Sequence, residues 1–113
     1  MESILTSIKK GIGILESQTD FDPEIILHIN SVFGDLAQMG VGPSNGFYIE
    51  DSRAIWDDFI EDDLLLQAVK SYMTLRVKIL FDPGSVGPST LTAYENQIKQ
   101  WEWRLNVAAE AKF

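Results

Sequence analysis

The sequence contains no cysteine and one histidine, His28. Without cysteine there is no disulfide framework and no thiolate chemistry. A lone histidine cannot build a structural zinc site, and any catalytic metal would depend on carboxylate partners. The lack of cysteine also agrees with a cytosolic origin. Positive charge is scarce: 9 Lys and Arg stand against 17 Asp and Glu, giving a net charge of −8 and a pI near 4.4. A surface that grips phosphates needs the opposite balance, which argues against tight, sequence-independent DNA binding. Long apolar runs are absent as well. None reaches the roughly 18 residues of a membrane span, and the opening "MESILTSIKKG" lacks the continuous apolar core of a signal peptide. There is no G-x-S-x-G elbow, and serines and threonines fall mostly at caps and turns, so nucleophilic catalysis has no motif behind it.

What is present suffices for one domain, residues 1–113. A chain of this length buries roughly two-thirds of the surface its unfolded form exposes, and folds without a metal or disulfide. Apolar spacing of three and four residues predicts helices throughout. Ile4, Leu5, Ile8 and Ile12 mark a short first helix within residues 3–12. The second spans about 23–39, with Asp22 as expected N-cap, Pro23 at the first position and Phe21 placed to staple onto Ile26. Its apolar face is Ile25, Ile29, Val32 and Leu36, widened by Ile26, Phe33 and Ala37. The third long helix runs about 63–81, capped by Asp62 or Asp63 and stopped before Pro83-Gly84. The last runs about 90–109 behind Ser89 or Thr90. There Leu91, Tyr94, Ile98, Trp101, Leu105 and Ala108 form a heptad-like seam. Between the second and third lies "SRAIWDDFIE", whose apolar and acidic pairs predict a smaller helix with two unlike faces. The fold class is all-α: a bundle of four main helices plus one short helix, with a Gly/Pro-rich loop between helices two and three.

That loop, "GVGPSNG" at 40–46, holds three glycines in seven residues. A dinucleotide loop requires G-x-G-x-x-G and a P-loop ends in G-K-[ST]. Gly46 comes one residue late for the first, and no lysine follows it for the second. Pro43 removes an N–H, and the loop follows a helix rather than a strand. Gly40 sits where a helix-terminating glycine belongs. The loop is a corner that leads into "FYIED", a possible short extended piece, and no cofactor is expected.

Two clusters carry the remaining functional interest. Asp57/Glu61 and Asp58/Asp62 are i,i+4 pairs which, on one helix, could share a hard cation such as Mg²⁺. The competing reading, a solvated acidic face that favours the next helix's N-terminus, explains them without a ligand. His28 lies among the apolar residues of the second helix and reads as structural. Trp103 is two residues beyond Trp101, about 200° around the helix. Either a second helix of the same chain covers it, or it marks a subunit interface, where tryptophan is enriched.

The order of these features resembles the head–tail connector proteins of tailed bacteriophages, also known as adaptor or DNA-packaging proteins. The resemblance runs through "SIKKGIGI", "FDPEIILHINSVFGDLAQMGVGP", "IEDSRAIWDDFIEDD", "VKSYMTLRVKILFDP" and "ENQIKQWEWRLNV". It implies a non-enzymatic virion protein at the head–tail interface, made in the bacterial host cytoplasm. It implies a homo-oligomeric ring, usually of twelve copies, beneath the portal protein and above a stopper or head-completion protein. DNA would pass through the ring without specific binding, and no membrane is involved. Among residues, the resemblance reaches the stretch from Glu102 to Val107 and the turn at Gly40 to Pro43. Trp103, Arg104, Gly40, Gly42 and Pro43 are the candidate interface positions. A generic helical interaction module and a metal-dependent hydrolase remain the alternatives.

Overall fold

The computed structural model describes residues 2–110. Five α-helices follow in order: α1 (Ile4–Gly11), α2 (Asp22–Gln38), α3 (Trp56–Phe59), α4 (Asp63–Phe81) and α5 (Pro88–Glu110), with a 3₁₀ turn at Pro83–Ser85. The protein is therefore an all-α bundle of four main helices and one short one. Helix α4 is its centre, packing against α1, α2 and α5.

The apolar spacing accounts for the packing. Ile4, Leu5 and Ile8 of α1, Ile25, Ile29, Val32, Phe33 and Leu36 of α2, and Val69, Tyr72, Met73 and Val77 of α4 are buried in one core. Ala37 is exposed, so the apolar face of α2 is narrower than expected. Trp56 fills the middle, with its indole N–H donating to Ser7 Oγ at 2.8 Å and Phe33 tilted against it. Ser3 caps α1 by accepting from the Thr6 N–H at 3.2 Å, and Asp62 caps α4 by accepting from the Leu65 N–H at 3.1 Å.

Two helix starts differ from expectation. Asp22 is the first residue of α2 and does not cap it; Phe21 occupies the cap position without a side-chain bond. The Asp22 carboxylate instead lies 2.9 Å from Lys9 Nζ. Oδ1 is buried, and this ion-pair contact, set off the hydrogen-bond line, is its polar neighbour. Lys9 is itself buried, and its ammonium also donates to the carbonyls of Glu16 at 3.0 Å and Gln18 at 2.7 Å. An uncompensated buried ammonium costs several kcal/mol, whereas a cap contributes about 1; the carboxylate serves the larger demand. Phe21 packs its ring edge-on against Phe81 at 5.4 Å. Helix α5 starts at Pro88 rather than behind Ser89 or Thr90, because proline suits the first turn and the Leu91 N–H already reaches Gly87 O at 2.8 Å.

Segment 39–55 crosses from α2 to α3 without forming a strand. It is pinned by one side-chain amide: Asn30 accepts from the Ile49 N–H at 2.8 Å and donates to the Ile49 carbonyl at 3.0 Å. A single bridge between Ser3 and Ile55 then ties its end to the start of α1.

Candidate functional site

The glycine loop is built as a helix stop. The Gly40 N–H reaches Ala37 O at 3.1 Å and the Val41 N–H reaches Leu36 O at 2.9 Å. These are the paired bonds of a Schellman ending, closed by burial of Val41 beside Leu36. Gly40 has φ +84° and Gly42 φ +94°. At Gly42 the need for glycine is also spatial, since a Cβ there would stand 2.4 Å from Phe59 Cε1. Pro43 is exposed, and its carbonyl accepts from the Gly46 N–H at 2.9 Å. The N–H groups of Gly40, Val41 and Gly46 are thus spent on closing turns. Gly40 faces Ala109 near the end of α5, where an added Cβ would stand 3.6 Å from Ala109 Cβ.

The acidic stretch is reorganised relative to expectation. The helix there is a single turn, Trp56–Phe59, and Ile60 is extended at φ −156°, ψ 142°. Asp57/Glu61 and Asp58/Asp62 therefore do not share one helical face. The Asp58 carboxylate accepts from the Ile55 N–H at 3.3 Å, while Asp62 caps α4. Among the described residues no three acidic or histidine side chains converge as a metal site. The physical reason is burial: Trp56 and Phe59 both enter the core, and a kink at Ile60 lets α4 begin in a new direction. His28 is half-buried on α2.

The most distinctive surface is α5. It is 23 residues long and packs chiefly on α4, yet only Leu105 and Ala109 are fully buried. Ile98, Trp101 and Ala108 of the expected seam pack partly against the core, and Leu91 and Tyr94 are half-buried. Trp103 lies outside the seam, 68% exposed, beside Lys99, Gln100 and Arg104. Among the described residues no helix covers it. Arg104 leans the other way, its guanidinium 5.0 Å from the centre of the Trp101 ring.

Across the α4–α5 contact runs a polar network with no counterpart in the sequence reading. Tyr72, fully buried, donates its hydroxyl to Glu102 Oε2 at 2.8 Å. It accepts from Arg76 Nη1 at 2.6 Å, and Arg76 Nη2 pairs with Asp35 of α2 at 2.8 Å. Burial, then the hydrogen bond to Glu102, pushes the Tyr72 hydroxyl up to about 12. The i,i+4 spacing of Tyr72 and Arg76 was the one sequence signal for it. The network fixes the roll of α5 on α4, and hence which residues of α5 face outward.

The structure thus defines a small all-α protein whose last helix carries an exposed tryptophan. A family model described as phage connector protein matches residues 4–112, and the chain belongs to that family. No curated protein and no solved structure matches it at a comparable level. Among the described residues no helix is long and apolar enough to cross a membrane.

Proposed function

We propose that this protein is a structural virion subunit, one connector domain that assembles as a ring between the portal and a stopper or head-completion protein. The ring, of twelve copies as in the resemblance, extends the channel through which DNA is packaged and later ejected. The observation that carries this reading is the connector-family match over nearly the whole chain. The uncovered Trp103 supports it, since tryptophan is enriched at protein–protein interfaces. In this reading Trp103 and Arg104 belong to an interface, while Gly40, Gly42 and Pro43 shape the corner beside the end of α5.

The charge supports the channel role. With a net charge of −8, the subunit repels phosphates, so DNA slides past rather than binding. The decisive experiment mixes purified protein with its portal and examines the product by sedimentation and negative-stain microscopy. A ring co-sedimenting with portal is expected. A stable dimer without portal affinity would replace this reading with that of a generic helical interaction module.

A further inference from the structure

The outermost helix carries a knob on one side and a groove on another. The knob is Trp103, 68% exposed. The groove lies between α5 and the first turns of α4, an open hollow of about 420 Å³. Leu64, Leu65, Ala68, Trp101 and Ala108 line it, with Asp62 and Arg104 at its rim. Leu64 stands at this groove 87% exposed, the most exposed large apolar side chain among the described residues. Trp101 and Trp103 are about 200° apart around the helix axis. The knob therefore cannot turn into its own chain's groove.

The charges around the two features are complementary. Lys99 lies one turn before Trp103, beside it on the surface, and has no ion-pair partner among the described residues. Glu61 and Asp63 flank the groove's Asp62 in sequence, and both are exposed and likewise unpaired among the described residues. They belong to stretch 50–63, where seven acidic residues accompany one arginine.

We propose that Trp103 of one copy seats in the α4–α5 groove of the next copy, with Lys99 facing Glu61 and Asp63 across the contact. The inference rests on the ring reading above and supplies the contact that reading lacks. Knob and groove lie on different faces of α5 that adjoin at Arg104, so the contact is heterologous: every copy gives one and receives one, head to tail. Such contacts close into rings when the rotation per copy fits a full turn, whereas a two-fold dimer sets a surface against itself. Arg104 in the receiving groove offers the incoming indole a cation as well as an apolar floor.

The absence of native cysteine makes the test clean. Gln100→Cys beside the knob and Leu64→Cys at the groove both alter exposed side chains. On the portal-bound assembly, a short bismaleimide should link the double variant into a ladder of dimers, trimers and higher species. Each single variant should give no ladder. Trp103→Ala should weaken self-association roughly 30-fold, in line with interface anchors generally. Lys99→Glu should weaken it, and Lys99→Glu with Asp63→Lys should restore it. Rings on portal without the ladder would overturn this contact while leaving the ring reading standing. Efficient dimers from either single variant would show a two-fold contact and overturn it too. If no ring forms on portal at all, the ring reading falls and the contact with it.

Discussion

The Tyr72 hydroxyl and the Glu102 carboxylate meet 2.8 Å apart where α4 and α5 cross. Because Tyr72 is fully buried, its ionisation is disfavoured in the folded state and its pKa rises from 10.0 to about 12. The folded protein thus holds this proton over a range in which the unfolded chain releases it. Stability contributed by the neutral hydroxyl is intact below pH 10 and falls as pH climbs from about 10 to about 12, by some 2 to 3 kcal/mol in total. Tyr72→Phe should cost about 1 to 2 kcal/mol at neutral pH and remove this part of the alkaline slope. Denaturant melts of both proteins between pH 9 and 12 provide the comparison. Parallel slopes would contradict the assignment.

Gly42→Ala combines a positive φ with a clash against Phe59. Gly46→Ala has the same kind of φ but open space around it. The first should destabilise by about 2 to 3 kcal/mol and the second by about 1. Titration calorimetry of the parent with ATP or NAD should show no heat of binding. Micromolar affinity would reinstate a phosphate role for the loop.

Trp56 and Trp103 should behave differently. Trp56→Ala opens a core site and should cost about 3 to 5 kcal/mol. Trp103→Ala should stay within about 0.5 kcal/mol of the parent while losing portal-dependent assembly. Circular dichroism melts and portal co-sedimentation separate the two effects. An early melt of Trp103→Ala would place that ring in the core.

Lys9→Met removes the ammonium shared by the Glu16 and Gln18 carbonyls and leaves Asp22 without its counter-charge. A loss of about 3 kcal/mol is expected, since a broken buried pair strands its partner. Lys9→Met with Asp22→Asn should recover part of it. Equal stability of the single and double variants would show that the ion pair is not coupled.

Asp62→Ala should cost about 1 kcal/mol through the lost cap on α4. Added Mg²⁺ should leave the melting temperature unchanged in both the parent and Asp58→Asn. A Mg²⁺-induced rise that disappears in Asp58→Asn would establish the metal site that the kink at Ile60 argues against.

The helices were legible because their signals are local. Pro23, Gly40 and Pro83 mark boundaries within a residue or two, and the apolar spacing of α2 and α4 names most of the core. Elsewhere distant partners decide the local structure. Nothing near Asp22 in sequence indicates that a buried ammonium from α1 will claim its carboxylate. Lys9 itself, inside "SIKKG", looks like an ordinary solvated lysine. The stretch around Asp57 alternates as a helix should, but tertiary packing keeps one turn of it and bends the rest. Trp103 was readable only as a choice between cover and exposure, which the placement of α5 resolves.

Helix α5 is held firmly at one end only. Leu105 and Ala109 anchor its last turns, while from Pro88 to Gln97 no residue is fully buried. Amide hydrogens in that first half should exchange through local opening, many times faster than those around Leu105, without the core unfolding. The helix is in effect a lever with its fulcrum near Leu105. Docking that clamps the free arm would show as slowed exchange there, far from any change in the core, and would give assembly a signature readable one residue at a time.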